Sequence, residues 1–127
     1  MIHRLQIADV AAREFPAGRA TRVFAGISGL PAKRFVVGES TIFPRGAVPA
    51  HHHSNEEIYV ILQGEGQMTV GDETFPVSAG SAVYLPPNIP HELHNTGEGN
   101  LVTIFVYAPA TVVSHWAEEA NEGRKGS

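Results

Sequence analysis

Apolar positions along this chain fall in short runs that alternate with polar ones, and glycine or proline closes nearly every run. In an extended strand residues two apart share a face, so Glu57, Tyr59 and Ile61 lie together and Ile58, Val60 and Leu62 lie opposite. Both faces are largely apolar, which predicts a strand buried between two sheets. Arg34 to Phe43 reads as a second long strand, with Gly38 as a bulge or close-packing point. Gln67 to Val70 and Glu73 to Val77 flank the Gly71-Asp72 turn as a hairpin. Thr21 to Ala25, Ala82 to Leu85, His91 to Asn95 and Leu101 to Tyr107 are further β-prone segments. Pro86 to Pro90 forbids ladder pairing and reads as a loop. Ile2 to Phe15 accommodates a strand and one helical turn. After Pro109, Thr111 to Ala120 predicts a short helix anchored by Trp116, followed by a frayed tail. Roughly eight to ten short strands without a long helix predict an all-β sandwich or barrel.

Composition narrows the picture. At 127 residues, 43% apolar and 17% charged, the chain suits one globular domain with a substantial core. That domain is expected to span 1–127, with a core at about 20–109, an N-terminal extension at 1–19 and a C-terminal helix and tail at 110–127. The net charge is −4 and Lys and Arg are not clustered. Neither nucleic acid nor an anionic membrane is therefore an expected partner. The chain has no cysteine, which excludes disulfides and thiolate chemistry and is compatible with a cytoplasmic location. The N-terminal stretch lacks a continuous apolar run, so neither a signal peptide nor a spanning helix is expected.

Chemistry concentrates in PAHHHSNEEIYVILQG, from Pro49 to Gly64. Strand alternation points His51 and His53 the same way and His52 the other. A turn through Ser54, Asn55 and Glu56 returns the chain so that Glu57 opens the next strand beside them. Two imidazoles and a carboxylate make most of a metal site, and His91 is the candidate that completes it. Glu56 rivals Glu57, but alternation with Tyr59 and Ile61 favours Glu57. Three imidazoles and one carboxylate suit Fe, Mn, Ni, Cu or Zn and are a poor cage for calcium. Four protein ligands leave up to two positions of an octahedral ion for water or substrate. Phe43, Tyr59, Met68, Tyr84, Phe105 and Tyr107 are candidate pocket-lining residues, although plain core is the first reading of each. Arg34 and Arg45 are candidate anion contacts, and Asn95 and Glu92 candidate supports for the histidines.

Gly46 to Gly64 resembles the first motif of the cupin superfamily: a glycine, His-x-His, three or four residues, Glu, six residues and a glycine. Gly80 to Asn95, GSAVYLPPNIPHELHN, resembles the second, Gly-x5-Pro-x-Gly-x2-His-x3-Asn. Gly46 stands one residue closer to His51 than the pattern expects. Asn88 replaces a glycine, a change that a left-handed turn tolerates. The resemblance implies a small single-domain cupin: a double-stranded β-helix, or jelly-roll barrel, whose ion sits on His51, His53, Glu57 and His91. It also implies a homodimer, for which exposed edge strands give a physical reason.

The expected function is a metal-dependent enzyme with a 3-His-1-Glu divalent centre acting on a small oxygenated organic molecule, with dioxygenase chemistry foremost. The alternatives are a redox-neutral isomerase or lyase of the same fold, or a module that holds a metal or small ligand without turnover. No catalytic acid or base stands out; Tyr59 is the nearest candidate.

Overall fold

The computed structural model describes residues 2–110. The helix expected at Thr111 to Ala120 and the tail lie outside the described residues. A single 3-10 turn, Ile7–Asp9, precedes ten strands: β1 (Arg13–Phe15), β2 (Arg19–Ala25), β3 (Val36–Ile42), β4 (Ala47–His51), β5 (Glu56–Gln63), β6 (Glu65–Val70), β7 (Glu73–Ser78), β8 (Ala82–Leu85), β9 (His91–Asn95) and β10 (Leu101–Ala108). They form a six-stranded sheet, ordered β1-β2-β3-β10-β5-β8, and a four-stranded sheet, ordered β4-β9-β6-β7. Neighbouring strands run antiparallel throughout. The result is the expected jelly roll.

Alternation decides which side chains enter the barrel. On β3, Val36, Gly38, Ser40 and Ile42 are buried while the residues between them are half-exposed. On β10 the inward set is Leu101, Thr103, Phe105 and Tyr107. Val36, Ile42, Leu101, Phe105 and Tyr107 meet Val48, Met68, Val77 and Leu93 from the four-stranded sheet in one apolar cluster. Each such side chain, fully buried, contributes about 1.5–3 kcal/mol of transfer free energy.

Two local expectations change, and a third, which left two alternatives at Gly38, is decided. Strand β5 is buried on one face only: Tyr59 and Ile61 point in, but Ile58 is 44% and Leu62 51% exposed. Among the described residues no second sheet covers its outer face. The site's first histidine is the last residue of β4, so His53 lies beyond the strand, in the connection to β5. Gly38 is a close-packing point and not a bulge. A Cβ there would stand 2.3 Å from Phe105 Cζ and 2.8 Å from the Arg22 carbonyl oxygen. The irregular register falls instead on β2, between Val23 and Ala25.

The two departures from the sequence motif have structural reasons. Gly46 abuts the β1–β2 turn so closely that a Cβ would meet the Gly18 carbonyl oxygen at 2.1 Å. Asn88 adopts φ 63°, the left-handed conformation that asparagine tolerates. Its amide donates to the His53 carbonyl at 2.7 Å, which ties the proline-rich loop to the histidine segment.

Candidate metal centre

Four elements deliver the four side chains. His51 closes β4, and His91 opens β9 directly across the ladder from it. Glu57 is the second residue of β5 and points inward, 6% exposed. His53 is held between them by the turn after β4, whose Asn55 is buried and donates from Nδ2 to the Pro109 carbonyl at 2.7 Å. That bond fastens the turn to the end of β10.

One ligand atom from each of His51, His53, Glu57 and His91 lies within 4.8 Å of every other. Donors ~2.1 Å from a common octahedral ion are at most about 4.2 Å apart, so small side-chain adjustments would close this set on a transition metal. The hydrogen bonds fix which nitrogens face inward. Nδ1 of His51 bonds the Pro49 carbonyl at 2.8 Å, Nδ1 of His53 the Asn55 carbonyl at 3.1 Å, and Nδ1 of His91 the Ile89 carbonyl at 3.1 Å. A carbonyl only accepts, so each Nδ1 carries the proton and each Nε2 offers its lone pair to the centre. Neither Asn95 nor Glu92 makes these bonds. Asn95 Nδ2 donates to the Ile42 and Gly99 carbonyls, and Glu92 faces His94 on the outside.

His53 Nε2 stands 3.0 Å from Glu57 Oε1. Two acceptors at that distance need a positive centre between or beside them, a proton or a metal ion. His91 Nε2 is buried without a hydrogen-bond partner, 3.6 Å from the same oxygen and so beyond bonding range. A buried nitrogen of this kind fits a metal ligand. Burial, reinforced by neighbouring His91, lowers the His51 imidazole to about 4. Burial alone would raise the Glu57 carboxyl, but the His53 and His91 imidazoles outweigh it and hold it below the usual carboxylate range. Neutral imidazole beside ionised carboxylate is the state that binds a cation.

The other candidates divide. Tyr59 and Phe105 line a cavity beside the site together with His51 and Glu57. Tyr107 pairs with Glu57 across the sheet, and burial, with the Glu57 charge adding, pushes its phenol up to about 12. Met68 is core, while Phe43, Tyr84, Arg34 and Arg45 are exposed and do not join the site. The same cavity contains four residues that sequence reasoning missed: Arg19, Thr21, Ser40 and Thr103. It measures about 20 Å³. A larger cavity of about 500 Å³, lined by Val10, Phe15, Thr21, Val23 and Ile27 among others, contains none of the four metal-site side chains.

Comparison with known proteins decides the family. The cupin domain family matches residues 38–107, more than half of the chain. The chain is a cupin. This cupin is 37% identical over 76 residues to protein MJ1618 of Methanocaldococcus jannaschii, covering 59% of the chain and 56% of that protein. It is 35% identical over 68 residues to the H2HPP isomerase of Bacillus subtilis, covering 53% of the chain but only 29% of the isomerase. Among solved structures it resembles the polyketide cyclase RemF of Streptomyces resistomycificus, with TM-score 0.75 and 26% identity over 87% of this cupin and 81% of the cyclase. The matches extend over just over half of the first protein and under a third of the second.

Proposed function

We propose that this cupin is a mononuclear metal enzyme acting on a small oxygenated organic molecule. The observation that carries this reading is the convergence of three Nε2 atoms and one carboxylate within 4.8 Å, beside a cavity. A divalent transition metal held by His51, His53, Glu57 and His91 supplies Lewis-acid activation of substrate oxygens and, if redox-active, electrons for dioxygen chemistry. The chain's own contribution is positional. Backbone carbonyls aim the imidazoles, Glu57 partly neutralises the cation, and Tyr59 and Phe105 wall the space beside it.

Dioxygen insertion is the first reaction class to test. Redox-neutral rearrangement is the second, supported by the likeness to an isomerase and a cyclase. The deciding experiment measures bound metal by elemental mass spectrometry and then follows oxygen uptake and substrate isomerisation on the loaded protein. About one equivalent of Fe, Mn, Ni or Cu with substrate-dependent oxygen uptake establishes the dioxygenase. Zinc with isomerisation and no oxygen uptake establishes the redox-neutral enzyme, while metal without turnover of any substrate establishes a binding module. No metal under any supplement refutes all three.

The same reading includes a homodimer. Val106, Ile58 and Tyr84 pair side by side across β10, β5 and β8 and are all exposed, with Leu62 nearby on β5. An apolar row of this kind supports contact with a second copy; light scattering gives the mass that tests it. No helix among the described residues is long and apolar enough to cross a membrane, and we place the protein in the cytoplasm on its lack of cysteine.

A further inference from the structure

The cavity of about 500 Å³ is formed by the N-terminal segment, β1, β2 and the connection after β2. Thr21 is the one residue it shares with the small cavity beside the metal site. Backbone bonds hold its walls in place. Arg22 Nε donates to the Val10 carbonyl at 2.8 Å and ties the N-terminal segment to β2. The Leu30 amide donates to the Phe24 carbonyl at 2.7 Å, and the Gly26 amide to the Leu30 carbonyl at 3.1 Å, closing the loop that carries Ile27. A volume of this size, with fixed walls, is in the range of small-molecule sites.

The lining defines the ligand. Phe15 is buried and forms the floor, Val10 and Val23 are half-buried walls, and Ile27 stands 47% exposed at the rim. An apolar side chain left open beside an apolar hollow fits an apolar ligand body. Charge supplies the other half. Alternation along β1 puts Arg13 on the same face as Phe15 and sends Glu14 to the opposite face. Arg13 is therefore the single cation among the described residues that line the cavity, and none of them is acidic. It makes no ion pair among the described residues. Its guanidinium lies 5.0 Å from the centre of the Phe15 ring, which keeps the charge at the cavity. The planar fork of a guanidinium matches the two oxygens of a carboxylate.

We propose that this cavity is a second binding site, for a monocarboxylic acid with an apolar body. The body lies against Phe15, Val23 and Ile27, and the carboxylate meets Arg13 at the rim. None of the four metal-site side chains takes part, so the site stands or falls independently of the metal-enzyme reading.

Calorimetric titration of the zinc-supplemented protein with 4-phenylbutanoate, its neutral counterpart 4-phenylbutanamide and acetate tests this. 4-Phenylbutanoate should bind about 3- to 10-fold more tightly than the amide, a contact discounted because Arg13 is exposed. It should bind at least about 10-fold more tightly than acetate, which lacks the apolar body. Arg13→Gln should erase the preference over the amide, and Ala11→Trp, which fills the cavity from its rim, should abolish binding of both. Both positions are exposed, so the circular dichroism spectrum should be retained. Methyl resonances provide a readout on the wild-type protein: those of Val23 and Ile27 should shift on adding 4-phenylbutanoate. Acetate binding as tightly, an acid preference that survives Arg13→Gln, or unshifted Val23 and Ile27 methyls overturns the proposal. A shift of Val48, which lines the small cavity, in place of Val23 and Ile27 puts the carboxylate at the metal site and overturns it too.

Discussion

Acidifying the metal-free protein should reveal what it costs to bury His51. The imidazole titrates at 6.5 when unperturbed and at about 4 in the fold, because burial and neighbouring His91 disfavour its charged form. The folded value is the lower one, so between the two the unfolded chain binds a proton that the folded chain does not. His51's share of stability is therefore complete above pH 6.5 and is lost progressively as the pH falls toward 4. At ~1.36 kcal/mol per pH unit, the whole interval corresponds to about 3 kcal/mol, of which about 2.5 kcal/mol is gone by pH 4.5. Glu57, also held below its usual range, adds loss in the same direction, but chiefly at still lower pH. The assay is urea unfolding of chelator-stripped protein at pH 7.5 and 4.5, for wild type and His51→Gln. Wild type should lose about 2.5 kcal/mol more than the variant between the two conditions. A pH dependence that is the same in both, within about 0.5 kcal/mol, would refute the assignment of that cost to His51.

Replacing His53 or Glu57 by alanine should reduce bound metal from about one equivalent to below about a tenth, with the β-rich circular dichroism spectrum retained, because neither side chain belongs to the apolar core. Elemental analysis of the purified variants checks it, and full occupancy in both would remove them from the ligand set. Gly38→Ala drives a methyl into Phe105 and the Arg22 carbonyl. It should cost about 1–3 kcal/mol in denaturant unfolding, whereas an unchanged midpoint would contradict the packing described. Asn95→Ala removes donors to the Ile42 and Gly99 carbonyls and the acceptor for the Gly97 amide. A loss of about 2–3 kcal/mol with unchanged metal content is expected; a loss of metal instead would give Asn95 the supporting role that the geometry denies it.

Much of the barrel was legible because its strands announce themselves locally. Val36 to Ile42 and Leu101 to Tyr107 read as strands from their β-prone residues and flanking turns alone, although their inward faces, which carry Ser40 and Thr103, are not legible that way. The candidate ligand cluster was legible for a similar reason: three of its four residues lie within seven positions. Features that depend on pairing between distant strands were not. Arg19 follows Gly18 in what reads as a turn, and only the β2–β3 register carries it inside. The outer face of β5 was misjudged because an apolar run looks alike whether it is covered by a second sheet or left exposed. Even the convergence of His51 and His53 has a different origin from the one alternation suggests, since His53 lies past the end of β4 and is placed by its loop.

The three imidazoles are each steered by a carbonyl two residues away in their own segment, Pro49, Asn55 and Ile89. Orientation of the candidate ligands thus follows chiefly from chain path, with the Asn55 side chain anchoring the turn that carries His53. The walls contributed by β2, β3 and β10 make none of these three bonds, so a change of charge or hydroxyl there leaves the aim of the imidazoles in place. Substitutions in one wall would therefore change the chemistry of the cavity without re-aiming the histidines.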